Sequence, residues 1–198
     1  MATETPLPQA LQITLSVTKI LEKLKIPYFV GGSLASSLHG IPRATLDADL
    51  VVDLSEKQAE KFVSSLKEDY YVDDKVVRTA IERSGMFNII HLESMFKIDV
   101  HILKKDESSK EGMKRRQRIV VSETEQGEIY VASPEDVVLQ KLNWFKKGDG
   151  TSDRQWEDAL GVLKVQGNAL DLSYMTTWSE KLGITDLLQK ALNTTRNK

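Results

Sequence analysis

Between Gly31 and Asp53 the chain reads GGSLASSLHGIPRATLDADLVVD. Its polar residues come in an order that suits the handling of a phosphate-linked group. Gly31-Gly32-Ser33 is a turn of small residues entering a short helix. Such a backbone lets amides approach a polyphosphate, and the field of a helix N-terminus adds to the attraction. Asp47 and Asp49 then alternate along an apolar run. Carboxylates at i and i+2 of a strand point to the same face and can share metal ions. A later run, Phe96 to Ile102, puts its apolar residues on one face and Lys97, Asp99 and His101 on the other. If the two strands are neighbours in one sheet, Asp99 can join Asp47 and Asp49. Three carboxylates in a shallow cleft repel one another unless a cation offsets them. Mg2+ suits that task, because it prefers oxygen ligands and bridges substrate phosphates. Two metals on three carboxylates would activate an attacking oxygen and stabilise a leaving pyrophosphate.

Each part alone is unspecific. Asp47-x-Asp49 also fits a solvated strand face, and Asp53, on the same face by spacing, reads as a strand-end residue. The Gly-Gly-Ser turn has neither the GxGxxG spacing of a dinucleotide fingerprint nor the GxxxxGK[ST] spacing of a P-loop. The conjunction, in this order and on these elements, is far more specific.

The elements that must position these groups follow from periodicity. A helix is expected over 9–25, with Ala10, Ile13, Val17, Ile20, Leu21 and Leu24 as its apolar stripe. A short strand covers 28–30, and a helix runs from Ser33 to His39, with Gly40 as its C-cap. A strand over 48–54 leads to a helix opened by Ser55 and Gln58 as a capping box. Its buried face is Ala59, Phe62, Val63 and Leu66. Residues 70–85 suggest a strand end and a short helix. Strands over 86–92 and 96–103 form an antiparallel hairpin about Glu93-Ser94. Two more strands, 119–122 and 128–132, flank the turn-like Glu125-Gln126-Gly127. From Ser133, an N-cap followed by Pro134 at N1, the pattern is helical: to about 147, then 153–165, 171–181 and 184–194.

Several residues carry two readings. Lys141 falls inside the inward stripe of Val137, Val138, Leu142 and Phe145. A lysine there needs an anion or a route to water, so a phosphate contact and a buried ion pair both fit. Arg43 could meet a phosphate or offset the carboxylates. Asp153 and Arg154 open a helix, and Asp158 lies off the stripe of Trp156, Ala159, Leu160 and Leu163. Trp144, Trp156 and Trp178 read as core. Residues 104–118 hold seven Lys or Arg against three Asp or Glu. That is either a basic arm for an RNA acceptor or a solvated segment.

The chain has 198 residues, 40% of them hydrophobic, and a formal net charge of −2. It has enough apolar residues for a core and no global basicity. The absence of cysteine rules out disulfides, zinc–thiolate sites and cysteine catalysis. The segment MATETPLPQ has no signal-peptide pattern, and no apolar run approaches the roughly 18 residues of a membrane span. A soluble cytoplasmic protein is expected.

The order Gly31-Gly32-Ser33, Asp47-x-Asp49, Asp99 resembles the nucleotidyltransferase superfamily with the DNA polymerase β-type fold. Arg43-x-Thr45-x-Asp47-x-Asp49, with Lys141, Asp153-Arg154 and Asp158, is similar to the bacterial AbiEii-like abortive-infection group. The core likeness covers roughly residues 20–103. It implies an α/β (α+β) fold, a mixed sheet flanked by helices, as a catalytic core over 1–132. A helical C-terminal subdomain would span 133–198, with the active cleft between the two. It implies transfer of an NMP from an NTP to RNA, a protein or a small molecule, with release of pyrophosphate. Asp47, Asp49 and Asp99 would be catalytic and hold Mg2+ or Mn2+. Gly31, Gly32, Ser33, Arg43, Lys141 and Asp158 would bind the nucleotide. The alternative is a non-catalytic nucleotide-binding protein, or a toxin–antitoxin partner that retains the fold. Two departures stand out: many members have a single glycine before the serine, and the basic motif of toxin-type members after the Asp pair is not evident.

Overall fold

A computed structural model describes residues 7–122 and 127–196. The expected turn at Glu125-Gln126 and most of the N-terminal segment lie outside the described residues. The chain divides into two compact units, Met1–Val30 with Thr45–Val131, and Gly31–Ala44 with Ala132–Lys198. The sequence reading places residues 31–44 in the core, whereas here they group with the helical half.

Among the described residues, the first unit holds one sheet of seven strands: β1 (Tyr28–Val30), β2 (Asp47–Val52), β3 (Tyr70–Tyr71), β4 (Met86–His91), β5 (Lys97–Ile102), β6 (Gln117–Ser122) and β7 (Gly127–Val131). Their order is β3-β4-β5-β2-β1-β7-β6. β2 and β5 are parallel neighbours, as are β1 and β7, and the remaining pairs are antiparallel. The sheet is therefore mixed. Ala48, Leu50 and Val52 of β2 and Ile98, Val100 and Ile102 of β5 are buried, while the residues between them are partly exposed. That period of two gives β2 and β5 one core face and one open face.

Among the described residues, four helices belong to this unit: α1 (Gln9–Lys23), α3 (Glu56–Leu66), α4 (Asp74–Arg83) and α5 (Glu107–Arg115). α1 buries Ile13, Val17 and Leu21 as expected, and also Leu11 and Leu15. Its buried Thr14 and Thr18 hydroxyls donate to the carbonyls of Ala10 and Leu15, so neither is left unsatisfied. The expected capping box of Ser55 and Gln58 forms, with the Ser55 amide donating to Gln58 Oε1 at 3.3 Å. The charged stretch at 104–118 contains α5, capped by Asp106, whose carboxylate accepts from the Ser109 amide.

The second unit is helical: α2 (Gly32–His39), α6 (Pro134–Lys147), α7 (Asp153–Gln166), α8 (Leu172–Leu182) and α9 (Thr185–Arg196). Ser133 caps α6, its hydroxyl accepting from the Asp136 amide at 3.1 Å, with Pro134 at the first helical position. Gly40 caps α2 as expected, for a different reason. Its φ is −129°, outside the left-handed region. A Cβ there would lie 2.7 Å from the Val162 amide nitrogen and 2.8 Å from the Gly161 carbonyl carbon. Close passage of α7 requires this glycine. Trp144 differs from expectation: it is 52% exposed, past Leu142, the last buried residue of α6.

Gly40→Ala is expected to destabilise the protein by about 1–3 kcal/mol, since backbone atoms cannot yield as a flexible side chain can. Urea unfolding followed by circular dichroism measures this, and a loss below about 0.5 kcal/mol would show that α7 withdraws freely.

Candidate functional site

The candidate residues fall into two groups, one in each unit. In the first unit, Asp47 and Asp49 stand on the open face of β2. Asp49 is the direct register partner of Asp99 on β5, and Asp99 is in turn the partner of Asn88 on β4. Residues opposite one another in a sheet share a face. Asn88, Asp99 and Asp49 therefore form a row across three strands, with Asp47 beside Lys97 in the next row. The Asp99 carboxylate accepts from Lys97 Nζ at 2.9 Å through Oδ2 and from Asn88 Nδ2 through Oδ1. His101 Nε2 lies 3.7 Å from Asp49 Oδ1. The Thr45 hydroxyl is 2.9 Å from the Asp47 carbonyl oxygen and 3.2 Å from its Oδ1. Lys97 registers this field. Its hydrogen bond to Asp99, and the charges of Asp99, Asp47 and Asp49, raise its pKa against a smaller effect of desolvation.

Among the described residues, no group of three His, Cys, Asp or Glu side chains stands arranged to hold a metal ion. The donor chemistry of the acidic face nevertheless fits a hard divalent cation. The three carboxylates supply oxygen ligands on one face of two adjacent strands. A cation there would meet Lys97, which now neutralises Asp99. Neither Lys97 nor Asn88 has a role that its sequence position alone announces. The signal for both was alternation, since each falls on the open face of its strand.

In the second unit, Gly31 and Gly32 bring the chain into α2. Gly32 has φ +56°, a conformation that favours glycine. Gly31 has an ordinary φ of −116°, and the nearest atom to an added Cβ would be Gln140 Oε1 at 3.9 Å. Neither backbone conformation nor packing requires a glycine at 31, so its missing Cβ leaves space beside the helix N-terminus. Among the described residues no side chain caps α2, and the first N–H groups of a helix have no partner within it.

Ser33 sits in the first turn and collects two cations. Arg43 Nη2 donates to its Oγ at 2.6 Å, and Lys141 Nζ at 3.4 Å. Both donors also bind Asp158. Arg43 forks onto it, Nε to Oδ1 at 2.7 Å and Nη2 to Oδ2 at 2.8 Å, and Lys141 Nζ lies 2.8 Å from Oδ2. The Asp158 and Lys141 side chains are 6% and 4% exposed. Asp158 is thus inside the helical unit despite lying off the apolar stripe. Burial, the largest single influence, pushes its carboxyl pKa up, but the hydrogen bonds and charges of Arg43 and Lys141 together outweigh it and hold the pKa below the usual carboxylate range. Two donors use both lone pairs of the Ser33 hydroxyl, whose proton is left to serve an acceptor elsewhere. Helix N-terminus, hydroxyl donor and two cations together suit an anion such as phosphate.

Of the remaining histidines, His39 is buried and its Nε2 donates to the Ala132 carbonyl at 2.8 Å. Burial lowers its pKa, against the smaller opposing effects of that bond and Glu135.

No family model matches this chain, and no curated protein matches it in sequence. Solved structures do. An antigenic nucleotidyltransferase-like protein from Paracoccidioides brasiliensis is similar at TM-score 0.57 and 16% identity, with 96% of this chain and 95% of that chain covered. The antibiotic-resistance factor ANT(2'')-Ia is similar at TM-score 0.54 and 11% identity, with 90% and 97% covered. The lincosamide antibiotic adenylyltransferase LnuA, lincomycin-bound, is similar at TM-score 0.51 and 13% identity, with 81% and 99% covered. At these identities the likeness is one of fold. The chain has the nucleotidyltransferase fold.

Asp158 gives a pH prediction. Its folded pKa lies below the ordinary 3.8, so the unfolded chain takes up its proton first as pH falls. The stability it contributes is complete above the unfolded value and is lost as pH drops through the folded one. Asp158→Asn should cost about 3 kcal/mol at pH 7, with the gap to wild type narrowing below about pH 4. Urea unfolding of both proteins from pH 7 to pH 3 measures this, and a constant gap would contradict it.

Proposed function

We propose that this protein is a metal-dependent nucleotidyltransferase that moves an NMP from an NTP to an acceptor and releases pyrophosphate. The observation that carries the reading is the register of Asp49 with Asp99 on adjacent parallel strands, with Asp47 on the same face. The nucleotidyltransferase fold supports it. So does the Ser33, Arg43 and Lys141 cluster at an uncapped helix N-terminus.

Asp47, Asp49 and Asp99 would hold Mg2+ or Mn2+, which when bound supplies positive charge to the phosphates and acidifies the acceptor hydroxyl. Gly31, Gly32 and Ser33 would bind the triphosphate through amides and a hydroxyl, and Arg43 and Lys141 through charge. The acceptor oxygen attacks the α-phosphorus in line. The bond to the bridging oxygen breaks, and pyrophosphate leaves with the electron pair. The Asp99 carboxylate takes the acceptor proton, and Lys97 and Asn88 hold that carboxylate in place. The acceptor is RNA, a protein or a small molecule. The Arg43-x-Thr45-x-Asp47-x-Asp49 order supports a place near the AbiEii-like group, with a partner toxin or antitoxin, in the cytoplasm.

One observation favours a second reading, a nucleotide-binding protein that keeps the fold without the chemistry. Asp99 is already neutralised by Lys97 and hydrogen-bonded by Asn88. A transfer assay separates the two. Purified protein is incubated with each α-labelled NTP, Mg2+ or Mn2+, and host lysate. Catalysis predicts labelled product with wild type and a drop of about a hundred-fold or more in Asp49→Asn. Nucleotide binding with no labelled product would favour the second reading.

A further inference from the structure

We infer that Asp158 serves the nucleotide through Arg43 and Lys141, as the residue that positions both cations at Ser33, and does not itself touch the phosphates. The inference rests on the proposed triphosphate role of Ser33, Arg43 and Lys141. Three observations carry it. Both Asp158 oxygens are engaged, Oδ1 by Arg43 Nε and Oδ2 by Arg43 Nη2 and Lys141 Nζ. Its side chain is 6% exposed, which leaves little surface for a ligand. Its negative charge would repel a phosphate. The same nitrogens that bind Asp158, Nη2 and Nζ, are those that reach Ser33 Oγ. A guanidinium is planar, so fixing its Nε and Nη2 on a carboxylate fixes the direction of its other N–H bonds. An ammonium on a flexible stem gains its direction from the oxygen that holds it.

A competing role has the opposite sign. A carboxylate shared by two phosphate-binding cations could act as a resident anion that an incoming triphosphate displaces. Removing it would then tighten binding. The position of Asp158 argues for support. It is 6% exposed, and with both cations bound to it they still reach Ser33 Oγ, so it does not take the ligand's place.

The test is isothermal titration of tripolyphosphate, in the presence of a chelator, into wild type, Asp158→Asn, Lys141→Met and the double variant. Thermal melts check that each is folded. The inference predicts that Asp158→Asn binds about ten-fold or more weakly, the loss expected when charge-assisted hydrogen bonds lose their alignment. It also predicts that Asp158→Asn costs clearly less in the Lys141→Met background, because part of its effect passes through Lys141. Equal or tighter binding by Asp158→Asn overturns the inference. So do strictly additive losses, which are what a general structural role would give. If Asp158→Asn does not fold, Asp158→Glu keeps a counter-ion for both cations while displacing the shared oxygens. It should weaken binding about three-fold or more, and unchanged affinity overturns the inference. If wild type binds neither tripolyphosphate nor any NTP, the phosphate-site reading itself falls, and this inference with it.

Discussion

The parallel pairing of β2 with β5, in one register, is the constraint on which the acidic face depends. Side chains alternate across a strand, so a slip of one residue would send Asp47, Asp49 and Asp99 into the core and Ala48, Leu50 and Ile98 out of it. Those apolar residues are fully buried and so fix the register. The register in turn sets Asp49 directly opposite Asp99, and like charges in that position oppose folding. The structure answers locally. Lys97 binds Asp99 and lies beside Asp47, and Asn88 fills the next place in the row. A face that keeps this repulsion, and uses a lysine to temper it, is suited to exchange that lysine's role for a stronger cation.

The helical unit solves a different electrostatic problem. Lys141 occurs on the buried stripe of α6, where a charge without a partner costs several kcal/mol. Asp158 of α7 supplies the partner and is shared with Arg43, which lies beyond α2 in sequence. One carboxylate thus ties three segments, and Ser33 completes the group. Breaking it would leave a buried ion unpaired, which is why the same residues bear on stability and on the proposed phosphate contacts.

Much of this was legible in the sequence, and the rest was not for definite reasons. Strand and helix positions followed from periodicities of 2 and 3.6, the caps from Ser55, Ser133 and Pro134, and the shared face of Asp47 and Asp49 from spacing. The pairing of β2 with β5 is set across a long stretch of chain, and local patterning says nothing of it. Lys141 was readable as a buried lysine seeking an anion. Its partner was not, because Asp158 lies off the apolar stripe of its helix. Gly40 reads as a helix stop from its place after His39, whereas its true constraint is the backbone of Gly161 and Val162, far along the chain. Residue type alone puts Trp144 in the core, whereas the geometry of α6 leaves it half exposed.

On the proposed function, Asp47, Asp49 and Asp99 form a divalent-cation site that serves a bound nucleotide. Electron paramagnetic resonance of Mn2+, titrated into the protein with a non-hydrolysable NTP analogue, tests it most directly. The account predicts a bound-ion population in wild type that is largely lost in Asp49→Asn and in Asp99→Asn. It also predicts that the population weakens when the analogue is omitted, because phosphates share the coordination. Mn2+ binding that is absent in wild type, or unchanged by both substitutions, would contradict the account.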